Sequence, residues 1–373
     1  MIKKEVVVIG GGPAGLAAAI EAAKRGAEVL IIDSNHTAGG QLFKQIHKFF
    51  GSAEHRAGTR GIDIGAELLR EAEKFGVEVM LDSSVIGLFE PMTVAVEVGM
   101  DNQEKVTEVI EAEQIVIACG ASENVVRFKG WTMPGVMGAG AAQTMINVNR
   151  VLPGEKILMI GSGNVGLIVS YQLMQAGADV AALVEAAPEI GGYAVHASKL
   201  SRAGVPILTR HTVFEAQGKE RVEKAVVGKL DDKWQQIPGT EQVFEVDTIC
   251  IAAGLKPLTE LSMMYGCKLM FDPRLGGWVA VHSEKMETTK SGIYVAGDAS
   301  GVEEANTALE EGRLAGVSIA EKRGLISGAD ADAERCEIWR RLDGLREGPK
   351  GEARRLVKKE LIEKFDGLKK EVD

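Results

Sequence analysis

Gly10, Gly12 and Gly15, and again Gly161, Gly163 and Gly166, stand at the spacing G-x-G-x-x-G. Glycines so placed let the chain turn tightly after a strand, bring backbone N–H groups against a pyrophosphate, and pack the next helix closely. An acid follows each run, Asp33 in the first copy and Glu185 in the second, where a carboxylate can accept from a ribose hydroxyl. Glu185 would also repel a 2′-phosphate, and no arginine directly follows it, so NAD(H) is favoured over NADP(H). Gly297-Asp298 is a third candidate, an acid directly after an apolar stretch. No catalytic residue is assigned, because no Ser/His/Asp set or paired carboxylates stand out. No metal site is assigned either: His47 and His55 lack acidic or cysteine partners at ligand spacing.

These glycines make sense only if strands and helices deliver them. Glu5 to Ile9 is an apolar, β-branched run of the kind buried on both faces of a parallel sheet. The Gly10–Gly15 loop follows, then an alanine-rich helix closed by Gly26, then a strand from Glu28 to Ile32 ending at Asp33. Lys156 to Ile160, the second loop, a helix to Ala176-Gly177 and a strand from Asp179 to Val184 repeat the order. Gly292 to Ala296 reads as a short strand, with a helix beginning near Asn306. Two complete fingerprints predict two dinucleotide-binding domains.

Composition narrows the class. Of 373 residues 45 are glycine, well above the usual figure of about 7%. A net charge of −10 argues against a general nucleic-acid binder. No run reaches the roughly 20 apolar residues of a membrane span. Lys3-Lys4-Glu5 leads straight into a strand rather than a signal peptide, so a cytoplasmic location is expected. Cys119, Cys250, Cys267 and Cys336 are scattered and form no C-x-x-C pair.

The chain resembles flavoproteins with two dinucleotide-binding domains, the group containing thioredoxin reductase. The resemblance rests on VVVIGGGPAG, Gly39-Gly40-Gln41, IVIACGAS at 115–122, ILMIGSGNVG at 157–166, ICIAAGLKP at 249–257 and SGIYVAGDAS at 291–300. The stretch PGVMGAGAAQTMINVNRVLPGEKILMIGSGNVG is most similar to subunits of amine and imino-acid dehydrogenases: sarcosine oxidase alpha, dye-linked proline dehydrogenase, opine oxidase and hydrogen cyanide synthase.

The resemblance implies an α/β protein of two Rossmann-like, three-layer ββα domains, the NAD-binding one inserted into the FAD-binding one, with a helical C-terminal tail. The expected FAD-binding parts are 1–127 and 257–325, the NAD(H)-binding domain is 128–256, and the tail is 326–373. The implied FAD residues are Gly10, Gly12, Pro13, Ala14, Gly15, Asp33, Gly40, Gln41, Ala118, Gly120, Gly297, Asp298, Asn306 and Thr307. Asp298 would take a ribityl hydroxyl, and the helix start at Asn306-Thr307 would face the flavin N1/C2=O edge. For NAD(H) they are Gly161, Gly163, Asn164, Val165, Gly166, Glu185 and Gly254, with ATP or ADP the alternative occupant.

The sequence departs from the family where the redox cysteines belong. MPGVMGAGAAQTMINVNR and AGGQLFKQIHKFF contain none, so disulfide reduction is not expected. Any iron–sulfur cluster would lie on another polypeptide. Residues 90–114 and 216–246 suggest small antiparallel sheets, and Met263-Met264 core filler. The basic segment Phe43 to Arg60, with Lys44, His47, Lys48, His55 and Arg56, reads as a solvated loop, an active-site lid or a partner-docking surface. The charged tail adds nothing to the nucleotide folds on this reading and either packs back on the surface or contacts another subunit, so its deletion should spare FAD while releasing the partner. The expected function is hydride exchange between NAD(H) and FAD, with electrons passing to or from a dehydrogenase partner subunit or a small iron–sulfur protein. A homo-oligomer is the alternative assembly. An electron relay with a structural nucleotide and a non-catalytic scaffold with a structural flavin are the alternatives.

Overall fold

The computed structural model describes residues 2–99 and 105–370. The chain divides into two compact units, residues 1–122 with 256–373, and residues 123–255.

In the first unit, strand Ile2–Ile9 lies between Val29–Ile32 and Val106–Ile117, parallel to both. Glu78–Met80 extends the sheet beyond Val29–Ile32, and Ile293–Val295 pairs with Val106–Ile117. Val6, Val7 and Val8 have no exposed surface, which is why consecutive rather than alternate residues are apolar here. Val106–Ile117 is long because it serves two partnerships. It pairs antiparallel with Thr93–Val98, which pairs with Ser83–Phe89, while also running parallel to Ile2–Ile9. The hairpin expected as a separate small sheet is thus hydrogen-bonded into the main one.

Helix Pro13–Ala23 packs against helix Ala305–Lys322. A Cβ at Gly312 would lie 2.1 Å from the Ala14 carbonyl oxygen, and one at Gly316 would lie 2.5 Å from that of Ala18. Only glycine lets these two helices approach so closely. Met263 and Met264, read from the sequence as core, are exposed, because the short helix Glu260–Met264 turns them outward and buries Ser262.

The last two helices, Gly328–Leu345 and Gly348–Lys370, belong to the first unit. Ile338 and Leu342 enter the core beside Leu314 and Val317, while Val357 and Leu361 close over Leu275 and Val279. Arg346 bridges Glu303 and Glu311 at 2.7 and 2.8 Å, and Lys358 reaches Glu311 at 2.8 Å, all four groups buried. The expectation that the tail adds nothing to the nucleotide folds fails. Its charges are not a solvated face, because two of its cations neutralise carboxylates inside the first unit.

The second unit carries a parallel five-stranded sheet in the order Ile207–Thr209, Asp179–Glu185, Lys156–Ile160, Thr248–Ile251, Val136–Gly138. Helix Asn164–Gln175 covers one face. On the other face lies an antiparallel sheet of His211–Gln217, Lys224–Lys229 and Gln242–Glu245. Among the described residues no helix is long and apolar enough to cross a membrane.

Candidate functional site

The first glycine loop is set by sterics. Gly10 has φ +101°, and a Cβ there would stand 2.4 Å from the Ala118 carbonyl oxygen. At Gly15 a Cβ would stand 1.8 Å from the Gly10 carbonyl oxygen, so the helix can start against the loop only if this residue is glycine. Gly12 differs, since its nearest neighbour would be Gly40 Cα at 4.0 Å, which leaves its backbone open to approach. Pro13 begins the helix, where its missing N–H costs nothing. The first turn holds no acidic residue, so the positive helix end is left to an incoming anion. These residues fit a pyrophosphate.

Asp33 is buried and already committed to the loop. Its Oδ2 accepts the Gly11 N–H at 2.7 Å, and its Oδ1 accepts the Asn35 N–H at 2.8 Å. Oδ1 also accepts from the Asn35 side-chain amide at 2.7 Å, which leaves Oδ2 as the oxygen with a lone pair for a ribose hydroxyl. Gly39 donates to the Gly11 carbonyl at 2.6 Å, which brings Gly40 against Gly12 and leaves Gln41 exposed. After the neighbouring strand, Ala118 donates to Ile9 at 2.8 Å, and Gly120 turns the chain with φ +78°.

The second loop repeats the construction. A Cβ at Gly161 would meet the Ala252 carbonyl oxygen at 2.2 Å, one at Gly166 the Gly161 carbonyl oxygen at 2.0 Å, and Gly163 has nothing within 4 Å. Glu185 Oε2 accepts from the Ser162 N–H at 2.8 Å and its hydroxyl at 2.6 Å, while Oε1 accepts the Ala187 N–H at 2.9 Å. Asn164 uses its side-chain oxygen to hold the Tyr193 N–H at 2.9 Å. Val165 is exposed, and Gly254 follows the neighbouring strand as Gly120 does in the first unit. Sequence reasoning missed Gly191-Gly192. Gly192 donates to the Ser162 carbonyl at 2.7 Å, the counterpart of Gly39 on Gly11. A second glycine doublet soon after the acid was the available signal.

Only the first unit adds a third element. Strand Ile293–Val295 runs into the turn Gly297–Ser300. A Cβ at Gly297 would stand 2.8 Å from Ala14 Cβ, so the turn lies against the start of the fingerprint helix. Burial pushes the Asp298 carboxyl up to about 6, opposed by the Glu303 N–H and assisted by the nearby Glu311, Glu304 and Glu303 charges. That N–H, at 3.2 Å, is the one hydrogen bond this carboxylate accepts among the described residues. A buried acid with spare acceptors fits a polyol hydroxyl. Helix Ala305–Lys322 begins just beyond, with Asn306 half-buried and Thr307 buried, its hydroxyl on the Glu304 carbonyl at 2.6 Å.

All four cysteines are free thiols. Burial pushes Cys119 and Cys250 each up to about 12 and raises Cys267 as well, so none of the three is an ionised nucleophile. The basic segment folds back on itself, with Phe49 buried and its N–H on the Thr59 carbonyl at 2.8 Å.

Residues 4–312 match the sequence profile of the family described as Pyridine nucleotide-disulphide oxidoreductase. The chain belongs to that family. Its members bind FAD and a pyridine nucleotide, and the expected ATP or ADP alternative for the second site finds no support. Among the chain's relatives, hydrogen cyanide synthase subunit HcnB of Pseudomonas protegens is 28% identical, the match covering 90% of this chain and 74% of HcnB. The opine oxidase A-subunit of Agrobacterium tumefaciens is 29% identical over 87% of this chain and 66% of its own length. The crystal structure of L-proline dehydrogenase from P. horikoshii has a TM-score of 0.67 at 24% identity, covering 90% of this chain and 59% of that one. Thioredoxin reductase from T. acidophilum has a TM-score of 0.70 at 19% identity, covering 87% and 99%. Both likenesses show the fold.

Proposed function

We propose that this chain is an FAD-dependent oxidoreductase that exchanges a hydride with NAD(H) and has no redox-active disulfide. The observation that carries the reading is the pair of glycine cradles of one design, of which only the first continues into the Asp298 turn. FAD, when bound, supplies a hydride acceptor and donor at its ring, so the chain's own task is binding and orientation. Gly10, Gly12 and Gly15 leave room for a pyrophosphate, Asp33 accepts from a ribose hydroxyl and Asp298 from a ribityl hydroxyl. The start of helix Ala305–Lys322 presents unpaired N–H groups to negative charge. In the second unit Gly161, Gly163 and Gly166 do the same for NAD(H), with Glu185 accepting from the 2′-hydroxyl.

The absent cysteine pair and the buried, neutral thiols argue that electrons leave by another route. A partner subunit fits, since HcnB and the opine oxidase relative are both named as subunits. The basic segment Phe43–Arg60 is its candidate docking surface. Anaerobic titration with NADH, followed by the visible flavin band, tests the reading. Rapid bleaching is expected. Bleaching only by an amine or imino acid with a partner present would point to a relay, and no bleaching at all to a scaffold.

A further inference from the structure

The Gly297–Ser300 turn has no counterpart in the second unit, and the C-terminal helices hold its Ser300 end directly and its Gly297 end through Glu311 of helix Ala305–Lys322. Lys358, buried on helix Gly348–Lys370, donates to the Ser300 carbonyl at 2.9 Å and to its hydroxyl at 2.7 Å. It also pairs with Glu311 at 2.8 Å. Glu311 accepts the Gly297 N–H at 3.1 Å and the Ser300 hydroxyl at 2.7 Å. Arg346 joins Glu311 to Glu303, and the Glu303 N–H is the donor to Asp298. The acid is thus held between two pinned backbone positions and a third held through Glu303.

We propose that Lys358 and Arg346 are positioning residues for the flavin, and that the C-terminal helix is therefore part of the FAD site. The proposal rests on the reading that this turn takes the ribityl chain. Burying two cations and two carboxylates is a poor way to gain stability, because well-packed apolar residues often do as well. The pattern of bonds explains the charges better. Lys358 spends two of its three donors on the turn itself, one on a main-chain carbonyl, and Glu311 spends an acceptor on a main-chain N–H. Burial opposes ionisation of Glu311, yet Lys358 and Arg346 outweigh it and hold the carboxyl down at about 2, so the network stays charged near neutrality.

Hydrogen exchange on the unaltered chain, with and without FAD, is the first test. If the tail favours the binding-competent turn, FAD must by linkage favour the docked tail. Slower exchange on FAD addition is expected both in 297–301 and in the backbone around Lys358. Protection confined to 297–301 would overturn the proposal. Lys358→Met and the double variant Glu311→Gln/Lys358→Met supply the second test, with FAD affinity read by quenching of flavin fluorescence. Circular dichroism and melting report the fold. Loss of the charged donor should weaken FAD about tenfold or more in the single variant. The double variant, which leaves no unpaired buried carboxylate at 311, should recover melting temperature without recovering FAD affinity. A folded double variant with wild-type affinity would sink the idea. Failure of the unaltered chain to bind FAD would instead refute the functional reading beneath it.

Discussion

The two glycine cradles solve one steric problem twice. In each, the first glycine crosses a neighbouring carbonyl, Ala118 or Ala252, at a distance no side chain could tolerate. The last packs on the carbonyl of the first, and the acid at the end of the next strand reaches back to an N–H of the loop, Gly11 or Ser162. Beyond that point the units diverge. The second adds a Ser162 hydroxyl to the acid and stops. The first adds the Asp298 turn, a helix fitted against Pro13–Ala23 through Gly312 and Gly316, and the two C-terminal helices with their buried cations. The glycine loop is thus generic, and on the proposed reading the additions around it distinguish the FAD site from the NAD(H) site.

The largest effect should come from attacking the shared cradle in each copy separately. Gly15→Ala puts a methyl 1.8 Å from the Gly10 oxygen, and Gly166→Ala one 2.0 Å from that of Gly161. Each should cost about 3 kcal/mol or more, since backbone rather than a flexible side chain must give way. Gly15→Ala should purify without flavin. Gly166→Ala should remain yellow yet fail to bleach with NADH. Equal flavin loss in both would show that the two cradles are not separable sites.

Glu185→Ser probes the acid of the second copy and should have a smaller effect. It removes the acceptor for a 2′-hydroxyl and also the bond that orders Ser162, so NADH affinity should fall about tenfold. NADPH should lose less, because repulsion of its 2′-phosphate disappears too. Steady-state kinetics with both nucleotides would read this. An unchanged ratio would remove Glu185 from the ribose.

The remaining effect is a pH dependence seated at Asp298 in the first unit. Asp298 titrates near 6 in the folded, flavin-free chain against an ordinary value of 3.8. A raised folded value means that folding favours the protonated acid. Its contribution to stability is therefore complete below about pH 4 and lost as pH rises toward 6. Asp298→Asn should raise the melting temperature of the flavin-free chain above pH 6 and change little below pH 4. The same variant should bind FAD less tightly. Parallel melting curves at both pH values would contradict the desolvation of Asp298.

What could be read in the residues was whatever neighbours in the chain decide among themselves. The strand run from Val6 to Ile9, the glycine spacing after it and the acid at 33 all lie within one βαβ unit. Their geometry follows from local sterics and from burial on both sheet faces, so the order of residues alone determined both cradles. Gly191-Gly192 was legible by the same logic. The tail was not. Lys358 lies 58 positions from Ser300 along the chain, and on a helix rich in Lys, Arg and Glu nothing local separates a buried lysine from the solvated ones beside it. Only packing does so, by closing Val357 and Leu361 over Leu275 and carrying the intervening lysine to the one place where a carboxylate and a bare carbonyl await it.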